Sequence, residues 1–121
     1  MFEISVEAHF YASHKIRLPD GSMEASHYHD WSVTAILSRE KLNNIGIVMN
    51  FQKLRELMDE ITHKFNHKSL NEFEYFKQNN PTAEIVARYI FEKLEKQIPK
   101  NVKLEAISVV EEPGCIAKFR R

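Results

Sequence analysis

The sequence predicts an α+β domain in which an antiparallel four-stranded sheet carries two helices on one face, in the order β-β-α-α-β-β. Three observations predict it. Two long stretches of period-two alternation come first, two stretches of helical spacing follow, and two short strand-like stretches around Pro113-Gly114 close the chain. Strands paired on either side of paired helices favour hairpins with one covered sheet face. The 121 residues suit a single domain spanning 1–121. No repeat or low-complexity tract interrupts it.

The first strand alternates Phe2, Ile4, Val6, Ala8 and Phe10 with Glu3, Ser5, Glu7 and His9, the period of a half-buried strand. Residues 15 to 26 are polar and hold Pro19-Asp20-Gly21-Ser22, a turn signal. Alternation resumes with His27, His29, Trp31, Val33, Ala35 and Leu37 on one parity. The apolar face of this second strand therefore begins with two histidines.

Helical spacing then joins Phe51, Leu54, Leu57, Met58, Ile61 and Phe65, with Asn50 as N-cap. Residues 66 to 79 are polar and irregular. A second helix is expected to open at Asn80-Pro81, a cap followed by the proline that suits the first helical position. Its stripe is Ile85, Val86, Tyr89, Ile90 and Leu94, and Pro99 lies past its end. Strands at about 102 to 111 and 115 to 120 complete the pattern.

Composition argues against several function classes. The 17 basic and 17 acidic residues cancel, leaving no cation excess to displace the counterions of a nucleic acid. A hydrophobic fraction of 43% is too high for a disordered chain. No apolar run reaches membrane-spanning length, and Met1-Phe2-Glu3-Ile4 lacks the basic-then-apolar start of a secretory signal. The expectation is a cytoplasmic protein with neither membrane nor nucleic-acid partner. Cys115 is the single cysteine, which excludes an intrachain disulfide and agrees with a reducing compartment.

Six histidines are many for this length, and three of them converge in the pattern. His27 and His29, at i and i+2 on a strand, leave the same face. His14 continues the parity of the first strand if no bulge intervenes. Core-facing histidines are often hydrogen-bonded packing residues. A pair plus a third on the neighbouring strand favours a metal, and three imidazoles are a set that catalytic Zn²⁺ uses. Glu24, three residues before His27, is placed to act as a general base beside such a centre. His67, Glu111 and Glu112 need no special account on their own.

Together these pieces resemble the 6-pyruvoyltetrahydropterin synthase and 6-carboxytetrahydropterin synthase family, over nearly the whole chain. Phe10-Tyr11-Ala12-Ser13-His14 resembles the segment with the family's first zinc histidine, and His27-Tyr28-His29 the H-G-H with the other two. Asn66-His67-Lys68-Ser69-Leu70 is similar to the D-H-x-x-L segment, Asn80-Pro81-Thr82-Ala83-Glu84 matches N-P-T-x-E, and Val109-Val110-Glu111 resembles the strand that anchors the pterin. The resemblance implies the tunnelling fold, in which subunits join their sheets into a barrel. It also implies homo-oligomers, commonly hexamers of two stacked trimers, with active sites between subunits.

For the chemistry, the resemblance implies zinc on His14, His27 and His29, His67 as a catalytic acid, Glu111 as the pterin anchor, and Thr82 supporting the pocket. The loop before His27 reads Gly21-Ser22-Met23-Glu24-Ala25-Ser26 and lacks the cysteine of the familiar enzymes. Glu24-Ala25-Ser26-His27 instead resembles the E-x-x-H variant. Members of that kind convert 7,8-dihydroneopterin triphosphate to 6-hydroxymethyl-7,8-dihydropterin for folate synthesis. The expected activity is that zinc-dependent lyase reaction on a small-molecule pterin. The alternatives are a 6-carboxytetrahydropterin or 6-pyruvoyltetrahydropterin synthase reaction, and a zinc- and pterin-binding homologue without turnover. Tyr28 in place of the middle glycine and Asn66 in place of the aspartate depart from the family pattern.

Overall fold

The computed structural model describes all 121 residues, Met1–Arg121. Its elements are β1 (Phe2–His14), β2 (His27–Arg39), α1 (Phe51–Thr62), β3 (Lys68–Ser69), α2 (Glu74–Gln78), α3 (Ala83–Glu95), β4 (Lys103–Glu112) and β5 (Cys115–Phe119). One sheet runs in the order β3-β1-β2-β4-β5. The α+β order holds, and the four expected strands pair antiparallel.

The polar segment 66–79 departs from expectation by adding a fifth strand and a third helix. β3 pairs parallel with β1 through Ala12 and Ser13, which makes the sheet mixed. A two-residue strand is too short to show alternation, and the apolar residues here are irregularly spaced. They anchor the segment nonetheless: Phe65 meets Phe73 and Phe76 at centroid distances of 5.0 and 6.0 Å, and Tyr75 meets Tyr89 of α3 at 4.8 Å.

β1 and β2 pair without a break from Phe2↔Arg39 to His14↔His27. No bulge intervenes, so the alternation read from Phe2 to Phe10 carries through to His14. Side chains of one parity, Val6, Ala8, Phe10 and Ala12 on β1 and Trp31, Val33, Ala35 and Leu37 on β2, are buried. Val109 and Ile107 of β4 continue that layer. α1 packs on β1, α3 on β4 and β5, and the two helices on each other. Each fully buried aliphatic or aromatic side chain here stabilises the fold by about 1.5–3 kcal/mol relative to exposure.

Asn50 caps α1 as expected, its side chain accepting from the Lys53 amide at 3.0 Å. The second long helix starts differently from the sequence reading. Thr82 caps α3, accepting from the Ile85 amide at 3.2 Å, and Ala83 is its first residue. Asn80 and Pro81 lie before the helix because their polar groups are used elsewhere, as described below. No helix is long and apolar enough to cross a membrane.

Candidate metal centre and the loop beside it

The histidines meet where β1 ends and β2 begins. His14 and His27 are cross-strand partners, and His29 sits opposite Ala12. The rings of His27 and His29 lie 4.6 Å apart between centroids, as do those of His14 and His27. Trp31, one step further along the same face, is fully buried and meets His14 and His29 edge-on at 4.9 and 5.8 Å. The indole N–H donates to the Ala12 carbonyl at 3.1 Å, which locks this floor in place.

Glu111, at the end of β4, joins the three rings. Its Oε1 lies 3.1 Å from His29 Nε2, 3.3 Å from His14 Nε2 and 4.0 Å from His27 Nε2. The four ligand-capable atoms all fall within 4.8 Å of one another. The family resemblance implies Glu111 at the pterin; the structure sets its Oε1 within 4.0 Å of the Nε2 atoms of all three histidines.

Backbone carbonyls set the tautomers. His14 Nδ1 lies 2.8 Å from the Pro81 oxygen, and His27 Nδ1 lies 3.1 Å from the Ala25 oxygen. A carbonyl can only accept, so each Nδ1 carries hydrogen and each neutral ring offers a lone pair at Nε2. Those two Nε2 atoms face each other at 2.9 Å. Two lone pairs at that distance repel unless a cation sits between them. His29 Nε2 is buried and makes no hydrogen bond, its 3.1 Å approach to Glu111 Oε1 being too poorly aligned for one. Burial holds the His29 pKa below its ordinary value, opposed by Glu111 and reinforced by the two neighbouring histidines. The neutral, ligating form is thereby favoured. This donor set fits Zn²⁺, which takes three imidazoles and leaves a fourth position for a carboxylate, water or substrate oxygen.

Glu24 is carried by a miniature hairpin absent from the sequence reading. Glu24 N–H donates to Ile16 at 3.0 Å and Leu18 N–H to Ser22 at 2.7 Å, with Arg17 bridging Met23. The turn closes through Gly21 N–H on Leu18, and Gly21 takes φ +89°, where a side chain would be strained. Asp20 accepts from the Ser22 hydroxyl and amide, which lowers its pKa. The hairpin sets Glu24 Oε1 3.8 Å from His27 Nδ1, beyond hydrogen-bond reach. That oxygen is buried and has no partner.

The other two candidates sit outside the cluster. His67 takes φ +62°, an uncommon conformation for a side-chain-bearing residue and frequent at functional sites. Its amide donates to the Tyr11 carbonyl at 2.6 Å, and its ring packs on Tyr11, which stacks on Tyr28 at 4.9 Å. Tyr11 and Tyr28 alternate with the buried residues and so project from the opposite face of the sheet. Within one chain, His67 and the histidine cluster are on opposite faces. Asn66 accepts from the Tyr11 amide at 2.9 Å and is not bonded to His67. Thr82 caps α3 beside Pro81, one residue from the carbonyl that orients His14. The carbonyls of Pro81 and Ala25 that orient two of the rings are invisible in the sequence, since backbone groups leave no mark in residue identity.

These features define an α+β protein with a candidate three-histidine, one-carboxylate metal centre at the open end of its sheet. The chain belongs to the 6-pyruvoyl tetrahydropterin synthase family, whose match covers residues 3–121. It is 32% identical over 108 residues to a dihydroneopterin monophosphate aldolase of Pyrococcus furiosus, covering 89% of this chain and 88% of that one. It is 28% identical over 125 residues to a 6-carboxy-5,6,7,8-tetrahydropterin synthase of Bacillus subtilis, covering 99% and 78%. In fold it is similar to the Caenorhabditis elegans 6-pyruvoyl tetrahydropterin synthase, with TM-score 0.86 and 24% identity over 99% of this chain and 95% of that one. The family processes pterins, and its tunnelling fold is that of this chain.

Proposed function

We propose that the protein is a zinc-dependent lyase that cleaves the side chain of a 7,8-dihydroneopterin phosphate to give 6-hydroxymethyl-7,8-dihydropterin. The observation that carries this reading is the buried, unpartnered Glu24 Oε1 beside His27, in a loop that has no cysteine. An unsatisfied buried carboxylate oxygen is a site for a substrate hydroxyl. The aldolase name of the archaeal relative supports carbon–carbon cleavage.

Zinc held by His14, His27 and His29 would supply Lewis-acid polarisation of the side-chain hydroxyls. Glu24 takes the proton of the second side-chain hydroxyl. The bond between the first and second side-chain carbons then breaks, leaving an aldehyde on the departing fragment. The electron pair moves into the pterin ring and is recovered at the first carbon with a proton, for which His67 is the acid. Glu111 would accept the amino and amide N–H groups of the ring, a role that requires its side chain to turn away from the Nε2 atoms it approaches within 4.0 Å here. Thr82 supports the pocket by holding the start of α3.

His67 can play this part only in another copy's site, because its own cluster is on the far face of the sheet. The protein is accordingly read as a homo-oligomer with sites between subunits, and the family resemblance implies that it is trimer-based and assembles to a hexamer. The outer edge of β1 supports this. β3 covers it only at Ala12 and Ser13, and an open edge of that length favours a partner strand.

Zinc-loaded protein incubated with dihydroneopterin monophosphate and triphosphate, with the product identified by mass, tests the reading. 6-Hydroxymethyldihydropterin supports it. A 6-carboxytetrahydropterin product would overturn it in favour of the reaction named for the Bacillus subtilis relative. Unchanged substrate with tight pterin binding would leave a non-catalytic homologue, the reading that Asn66, engaged with Tyr11, favours.

A further inference from the structure

The chain leaving β1 has its outer backbone groups satisfied by asparagine side chains. Asn71 accepts from the Lys15 amide at 2.9 Å and donates to the Lys15 carbonyl at 2.9 Å. Asn80 accepts from the Arg17 amide at 2.8 Å and donates to the Arg17 carbonyl at 3.0 Å. Each primary amide offers one acceptor and donor hydrogens in a plane, the same groups that a neighbouring strand would present. The two clamps are two residues apart, the spacing at which one strand edge turns its N–H and C=O outward. They continue the edge that β3 occupies at Ala12 and Ser13.

The opposite edge of the clamped segment carries the hairpin. Ile16 accepts from the Glu24 amide and Leu18 donates to Ser22. The clamped residues Lys15 and Arg17 thus alternate with the residues that hold Glu24. His14, immediately before Lys15, is fixed from the same side by the carbonyl of Pro81, the neighbour of Asn80. One piece of chain therefore sets both the ligand ring and the loop of the base.

We propose that Asn71 and Asn80 are positioning residues, a side-chain splint that replaces a strand and holds the Glu24 hairpin at a fixed distance from the histidine cluster. The inference rests on the reading of Glu24 as base. Without the splint the hairpin is tied only at its base and its turn. Displacement of a catalytic group by about 1 Å lowers turnover by up to about 100-fold.

The test compares Asn80→Ala, Asn71→Ala and Asn80→Asp with the native protein and with Glu24→Gln. Metal content, thermal midpoint, steady-state kinetics and amide hydrogen exchange are read for each. Asn80→Ala is expected to speed exchange at the Arg17 and Glu24 amides while metal content stays at the native level. In the same variant kcat should fall about 10- to 100-fold with KM little changed. Asn80→Asp keeps the acceptor for the Arg17 amide and sets a carboxylate oxygen against its carbonyl, so it should behave as Asn80→Ala does. Unchanged exchange over residues 16–24 in both alanine variants overturns the splint, and so does loss of metal in step with activity. Full turnover by Glu24→Gln would refute the base reading instead, with the exchange data still deciding the splint.

Discussion

On the proposed zinc reading, removing the metal should destabilise the protein by an amount set by its saturation. The Pro81 and Ala25 carbonyls turn the Nε2 lone pairs of His14 and His27 toward each other at 2.9 Å. His29 Nε2 has no hydrogen-bond partner. The metal-free fold keeps this repulsion, while the bound ion relieves it and binds no comparable site in the unfolded chain. Free zinc at 1,000 times its dissociation constant stabilises the native state by about 4 kcal/mol. An unfolding entropy of about 2.1 cal/mol/K per residue gives ~0.25 kcal/mol/K for a chain of this length. Chelation should then lower the thermal midpoint by ~16 °C at that saturation. Scanning calorimetry of zinc-loaded and chelated protein, paired with elemental analysis, measures both the shift and one metal per chain. His27→Ala should abolish most of the shift, since it removes one ligand and leaves the core intact. Equal midpoints with and without chelator, or stoichiometric metal retained by His27→Ala, would refute the reasoning.

Four further outcomes are expected. Glu24→Gln should lose at least about 100-fold in turnover, the usual scale of a general base, while native metal content and thermal midpoint are retained; full turnover would remove Glu24 from the chemistry. His67→Ala should also be inactive, yet refolding it together with Glu24→Gln should restore activity in mixed oligomers if sites form between copies; no recovery in a mixed oligomer would place His67 outside the reaction. Asn50→Ala should cost about 1 kcal/mol in denaturant unfolding, because the Lys53 amide loses its cap. Phe65→Ala should cost about 3–5 kcal/mol, since Phe65 is buried and touches Phe10, Phe73, Phe76 and Tyr89; a loss under 1 kcal/mol would mean the cluster collapses around the gap.

Much of this site was legible because two long strands carry it. The register between β1 and β2 never slips, so parity read at Phe2 still holds at His14, and three imidazoles follow from counting by twos. The short elements were not legible. β3 has two residues, and its pairing rests on tertiary anchors such as Phe65 and Leu70, both buried beyond the reach of local pattern. Asn80-Pro81-Thr82 offers two cap candidates, and the proline rule favours Asn80. The fold chose Thr82 because the Asn80 amide serves Arg17 and the Pro81 carbonyl serves His14. For His67 the sequence supplied the residue but not the face. That depends on the left-handed turn joining it to Tyr11.

On the proposed function, the tripeptide also accounts for how a base on a loop could be as well placed as ligands on strands. Strand positions are rigid through their ladder, whereas a turn between two strands is ordinarily free to move. Here the Asn80 side chain bonds the Arg17 backbone, the Pro81 carbonyl orients the His14 ring, and Thr82 caps the helix that packs on β4 and β5. β4 in turn delivers Glu111 to the same cluster. One stretch of chain thus bonds the backbone beside the Glu24 hairpin and one candidate ligand ring, and starts the helix that packs on the strand carrying Glu111. On the proposed function, this shared attachment would keep the His14 ring and the Glu24 loop in register, the kind of preorganisation that electrostatic catalysis requires.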